Sequence, residues 1–155
     1  MAERDDLLTD LRLTERHAGL RPAYAVAADE RRARGAQGPY ALLDVQTVAG
    51  RENLAQAILV RLLTPRGELD ALGHPEYGSR LHELVGRENT ETTRNLAKLY
   101  ILESLAMESR VEEVVGVTVE PDPDDRTAVD ITLQVRPAGP APTLAIGPFT
   151  LEFAQ

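Results

Sequence analysis

Glu108-Ser109-Arg110 sets a carboxylate and a guanidinium two residues apart, and His74-Pro75-Glu76-Tyr77-Gly78 strings imidazole, carboxylate and phenol along one short segment. An arginine fork clamps carboxylates or backbone carbonyls, so the first group suits ion pairing better than bond making. At a helix-to-strand junction, Glu108 and Arg110 point in different directions and bond separate partners. The alternative is an Arg110 that satisfies the last carbonyls of its own helix, and spacing alone leaves both open. His74 and His82, with Glu76 or Glu83, offer the nitrogen and oxygen donors that zinc takes. The segment lacks the helical i, i+4 pair that sets two imidazoles on one face, so both read as turn and surface residues and no metal site is expected. Two carboxyls flanking a sugar make a glycosidase, and Glu103 with Glu108, or Glu112 with Glu113, are the local pairs. Among 25 acids such pairs arise by chance, and an aromatic share of 4% leaves little to stack a sugar. Ser79, Ser104 and Ser109 lack a Gly-x-Ser-x-Gly elbow, there is no cysteine, and no glycine loop cradles phosphate. The expectation is a protein with no catalytic residues, no cofactor and no enzymatic activity.

Periodicity shows which elements must position these residues. Leu54, Ile58 and Leu62, flanked by Ala57, form an apolar stripe that predicts a helix over 51–63, stopped by Pro65 and Gly67. Pro75 and Gly78 make a turn in which Gly78 supplies a positive φ. Ser79 caps a short helix over 80–85, which Gly86 closes. Asn89 or Thr90 caps a longer helix over 91–108. Leu99, Leu102 and Ala106 line one side of it, with Ala97, Ile101 and Leu105 beside them, a stripe wide enough to contact more than one layer. The period then changes to two. Val115, Val117 and Val119 alternate with polar residues, Pro121-Asp122-Pro123-Asp124-Asp125 breaks the run, and Val129, Ile131, Leu133 and Val135 alternate again. This is a hairpin with one buried and one polar face. Residues 137–142 read as a linker, and Phe149, Leu151 and Phe153 as a terminal strand. In the leader, Leu11 and Leu13 suit an edge strand, 23–34 a helix ended by Gly35, Gly38 and Pro39, and 40–48 a second strand.

The 155 residues fit one domain, or one with a tail. A net charge of −8 argues against a nucleic-acid partner, since phosphate contacts need clustered cations, and Arg31, Arg32 and Arg34 are too few to reverse it. Without cysteine there is neither a disulfide framework nor a thiolate zinc site. The N-terminus carries acids where a secretory signal carries basic residues. No apolar run approaches the roughly 20 residues of a membrane span, so a soluble protein with no membrane insertion is expected. A small sheet with exposed edges offers unpaired backbone groups that a strand from another subunit can complete. The Pro- and Gly-punctuated end segments either act as such arms or fold back on their own sheet.

The order Thr47-Val48-Ala49-Gly50-Arg51-Glu52-Asn53-Leu54-Ala55-Gln56, Leu62-Leu63-Thr64-Pro65-Arg66-Gly67-Glu68, His74-Pro75-Glu76-Tyr77-Gly78-Ser79-Arg80-Leu81 and Glu108-Ser109-Arg110-Val111 resembles the baseplate wedge, or sheath-initiator, family of contractile phage tails and related injection machines. The forms LLTPRGEL and GHPEYGSRLHELVG look most like its extracellular contractile injection system branch. The family pattern at the helix end is Glu-Pro-Arg, and Ser109 in the proline's place implies a less rigid turn.

The resemblance implies an α+β fold, two main helices and a short one packed on a small, mostly antiparallel sheet like the sheath's strand-exchanging domain. The chain is expected to divide into a leader over 1–46, a wedge and sheath-initiator domain over 47–136, which carries the resemblance, and a linker and C-terminal strand over 137–155. The expected role is structural: a baseplate component present in roughly six copies near the inner tube or hub, joining other wedge proteins to the sheath protein and templating the first sheath ring. Glu108, Arg110, Tyr77 and Arg80 are the expected wedge contacts. Val115, Val117, Val119, Val129, Ile131, Leu133 and Val135 mark the expected sheath joint. The expected location is the bacterial cytoplasm, then the baseplate of a particle open to release. A peptidoglycan-cleaving, lysozyme-like baseplate enzyme is the alternative.

Overall fold

Leu54, Ile58 and Leu62 stand at helical spacing and are all buried, the stripe that makes helix α1 (Gly50–Leu63) form. Glu52 in its first turn and Arg61 in its last complement the helix dipole. The computed structural model describes residues 8–18, 21–26, 28–31 and 42–153. The chain divides into two compact units, Met1–Gln56 and Ala57–Gln155, so the division falls inside α1.

In the first unit, β1 (Thr9–Leu11) pairs antiparallel with β6 (Thr47–Ala49), β2 (Leu13–Ala18) with β3 (Arg21–Val26), and β4 (Ala28–Arg31) with β5 (Leu42–Val45). The Gln56 amide ties this ribbon to the helix, accepting from Leu13 N–H and donating to Leu11 O, both at 2.8 Å. The helix expected over 23–34 is absent from its described residues, which lie in β3 and β4; residues 27 and 32–34 fall outside the description. Helix propensity differs among ordinary residues by only tenths of a kcal/mol, and pairing with an adjacent strand outweighs it. The expected strand over 40–48 is split into β5 and β6 at Gln46, with residues 40 and 41 outside the description.

The second unit carries helix α2 (Glu91–Leu105), two short 3-10 turns (Asp70–Leu72 and Leu81–Leu84) and an antiparallel sheet ordered β7-β8-β9, with β7 (Val111–Pro121), β8 (Ala128–Pro137) and β9 (Leu144–Glu152). The fold is α+β as expected, two main helices and short 3-10 turns with a small, mostly antiparallel sheet. Thr90 caps α2, its Oγ accepting from Thr93 N–H at 3.2 Å, while the Asn89 amide donates to the carbonyls of Arg126 and Ala128 at the start of β8. The helix stops at Leu105 rather than continuing to residue 108. Its core face is Ala97, Ile101 and Leu105 with Tyr100 and Ser104, and Leu99 and Leu102 of the neighbouring row are exposed.

In β8, Val129, Ile131, Leu133 and Val135 are fully buried, as their alternation requires. β7 departs from its pattern. The register shifts between Val114 and Gly116, so Val119 is buried but Val115 is 48% exposed. The extra residue at the shift takes Val115 out of the alternation that Val117 and Val119 keep, and period-two reading does not see it. Just past β9, Phe153 is fully buried, its N–H bonded to Thr127 O at 2.8 Å and its carbonyl accepting from Gly86 N–H.

The segment between the helices is clamped at Gly78-Ser79. Ser79 N–H donates to Thr64 O at 2.8 Å, Arg66 N–H to Ser79 O at 2.9 Å, Ser79 Oγ to Leu62 O at 2.5 Å, and Ser104 Oγ to Gly78 O at 2.8 Å. Ser79 Oγ also accepts from Leu81 N–H at 3.2 Å, but the residue that opens the turn Leu81–Leu84 is Arg80, with no side-chain cap, rather than the expected Ser79. Gly78 sits at φ 100°, and a Cβ there would stand 2.5 Å from Thr64 O and 2.9 Å from Pro65 O. Gly67 has a similar φ of 88° but open space around it. Gly78→Ala is expected to cost roughly 2–3 kcal/mol, strain plus collision, and Gly67→Ala only about 1 kcal/mol; urea denaturation of the two variants checks the difference.

Candidate functional site

Three segments meet around the carboxylate of Glu108. The end of α1 supplies Arg61, the turn before Gly78 supplies Tyr77, and the junction between α2 and β7 supplies Glu108 and Arg110. Glu108 is 7% exposed. Arg110 grips it with a fork, Nε to Oε1 at 2.8 Å and Nη2 to Oε2 at 3.2 Å, and the Arg110 backbone N–H adds a contact at 3.3 Å. Arg61 Nε lies 3.5 Å from Oε2, and its guanidinium stacks 4.6 Å from the centre of the Tyr77 ring. The pairing is possible because α2 ends at Leu105: Glu108 N–H bonds Leu105 O, and Val111 N–H bonds Glu108 O to start β7.

Burial pushes the Glu108 carboxyl up, but the hydrogen bonds and charge of Arg110, with the charge of Arg61, outweigh it and hold the group below the ordinary glutamate range. Burial pushes the Tyr77 phenol up, with the guanidiniums opposing and Glu108 reinforcing. One carboxylate shared by two guanidiniums is an ion-pair hub. A carboxyl held ionised in this way is the reverse of what a general acid needs.

A second network lies on the neighbouring surface. Arg66 Nη1 meets Glu103 Oε1 at 2.6 Å, and Arg80 meets Glu83 at 2.9 Å and Glu103 at 3.8 Å while its guanidinium lies 4.3 Å from the Tyr100 ring. Of the four expected wedge residues, Glu108, Arg110 and Tyr77 come together, and Arg80 stands in this other network. Glu108 and Arg110 do not diverge as their spacing suggested; they close on each other. Arg61, which no motif in the sequence singles out, is the missing member, and its only signal is a place in the last turn of α1 next to Leu62.

The apolar residues of the expected sheath joint divide. Val129, Ile131, Leu133 and Val135 are committed to the core on the central strand, Val119 is buried, Val117 is partly so, and Val115 is exposed. His74 and His82 are exposed, and among the described residues no three His, Asp or Glu side chains gather as a metal would need.

Because Glu108 ionises more readily folded than unfolded, it stabilises fully above the ordinary glutamate value of about 4.3, and this is lost as pH falls through its lowered folded value. Glu108→Gln is expected to cost roughly 3 kcal/mol near neutral pH, leaving two guanidiniums without their carboxylate. It should also flatten the acid limb of the stability profile, which urea denaturation between about pH 7 and pH 3 would read out.

No curated protein matches the sequence. A crystal structure of a "putative tail lysozyme" from Geobacter sulfurreducens is similar, with 28% identity, a TM-score of 0.52 and coverage of 65% of this chain and 90% of that one. That likeness overturns the expectation that the chain is not an enzyme, which rested on the sequence's lack of a convincing acid pair. The sequence model of the family described as contractile injection system sheath initiator matches residues 41–137, more than half of the chain. The match carries with it contacts to sheath and baseplate components and a place on a contractile particle. No helix among the described residues is long and apolar enough to cross a membrane. The chain belongs to the contractile injection system sheath initiator family.

Proposed function

We propose that this chain is the baseplate part that joins the wedge to the sheath and templates the first sheath ring, with residues 47–136 as the joining domain between a leader over 1–46 and a tail over 137–155. The observation that carries the reading is the asymmetry of the sheet. β8 is paired on both sides, and among the described residues β7 pairs only with β8. In β9 the register with β8 shifts around Gly147-Pro148, and the proline offers no N–H. That leaves the outer side of β7 as the better edge for a strand from the sheath protein, main-chain hydrogen bonds giving affinity. The buried valines and leucine of β8 then support the joint from beneath.

On the wedge side, Leu99 and Leu102 are 56% and 43% exposed on one face of α2. That face suits packing against helices of other wedge proteins, with Arg110, Tyr77, Arg80 and the Glu108 hub at its end. About six copies around the inner tube would multiply individually weak contacts. The particle is assembled in the bacterial cytoplasm and open to release. A second reading, hydrolysis of peptidoglycan, is favoured by the similar tail lysozyme structure; sugar released from peptidoglycan by the purified protein, and lost on substitution of a carboxylate, would establish it.

Deletion of the gene in the producing cells is expected to leave unsheathed tubes or no particles by electron microscopy. Wild type should restore sheathed particles, and Arg110→Ala and Val115→Lys should restore far fewer, the first through the wedge contact and the second by placing a charge at the open edge. Normal sheathed particles in the deletion strain would overturn the reading.

A further inference from the structure

We infer that Arg61 and Tyr77 are a positioning pair that orients Arg110 through Glu108. The partner-facing role of Arg110 rests on the function proposed above; the positioning itself stands on the geometry. Oε2 of Glu108 is shared between Arg110 Nη2 at 3.2 Å and Arg61 Nε at 3.5 Å. The carboxylate on which Arg110 docks is therefore fixed from two sides, one within its own junction and one from a helix far away in sequence.

The Arg61 side chain is 11% exposed, and its buried Nε has no hydrogen bond among the described residues. A strong donor left so carries a cost. Charge attraction to Glu108 and stacking on the face of Tyr77 compensate for it, and the planar guanidinium makes both at once where a lysine would bring only a point charge. Tyr77 is a firm backstop. It precedes the Gly78-Ser79 clamp, which is bonded to Leu62 O and Thr64 O at the same end of α1 that carries Arg61. The brace thus returns to its own origin: helix end, clamp, ring, guanidinium, carboxylate, Arg110.

The test follows the Arg110 Nε–H signal by nitrogen-15 NMR on the full chain. Arg61→Met and Tyr77→Leu are expected to speed its exchange with solvent by roughly tenfold, the scale of one charge-assisted hydrogen bond, and Tyr77→Phe to bring protection back. Phe153→Leu, which loosens the core elsewhere, should leave it unchanged. Equal protection in Arg61→Met, Tyr77→Leu and wild type, or equal loss in Phe153→Leu, would overturn the inference. Particle imaging with the same variants separates the two ideas: a loosened Arg110 in cells that still make wild-type numbers of sheathed particles would sink the wedge-contact reading and leave the positioning standing.

Discussion

A buried carboxylate must be neutralised where it stands, and the Glu108 carboxylate is the point around which the second unit arranges its connections. It requires α2 to end before residue 108, Arg61 to lie on the last turn of α1, and the turn carrying Tyr77 to close over that guanidinium. The clamp at Gly78-Ser79 meets the last of these demands, since four hydrogen bonds fix the turn to the ends of α1 and to α2. A buried ion pair of this kind stabilises little compared with a well-packed apolar replacement. Its loss on one side is costly, so it specifies an arrangement more than it strengthens one. That is an appropriate property for a part whose work is to present surfaces in a fixed relation.

Much of the fold was legible because its signals are local and periodic. The stripe of α1, the cap at Thr90, the positive φ of Gly78 and the alternation of β8 follow from single segments, and all appear in the structure. What stayed hidden depends on pairing between segments. The ribbon of β3 and β4 is held by partner strands against the helix preference of its own residues. Of two neighbouring rows on α2, the sheet selects Ala97, Ile101 and Leu105 and leaves Leu99 and Leu102 to solvent. The site divides in the same way: Glu108, Arg110 and Tyr77 stand in recognisable motifs, whereas Arg61 is one arginine among many until the fold brings it under the ring.

The register shift in β7 has a structural consequence beyond Val115. Past the shift, Val117 and Val119 keep the sheet's apolar side and Val119 is buried, while the stretch before it bears Glu112 and Glu113 on the surface, the latter paired with Arg136 at 2.6 Å. The strand therefore has a packed half near the hairpin and a more open half near the Glu108 hub. A shift of this kind also raises local twist, which limits indiscriminate association along an edge. Openness and restraint sit on one strand.

Ser109 shows how the junction manages without a proline between Glu108 and Arg110. A proline would fix φ at one residue and remove one donor. Here the turn is bounded by hydrogen bonds, Glu108 N–H to Leu105 O on one side and Val111 N–H to Glu108 O on the other. Within it, the Glu108 side chain reaches over Ser109 to take the backbone N–H and the guanidinium of Arg110 together. The serine is exposed and bears none of these contacts through its backbone or side chain as described. Rigidity therefore passes from a ring in the main chain to a carboxylate held by side chains, and its strength depends on Glu108 remaining ionised and on Arg61 remaining beside it. A stiff joint built from covalent geometry is indifferent to its surroundings. One built from charges answers to whatever approaches Arg110, and so ties the state of the junction to the partner that binds there.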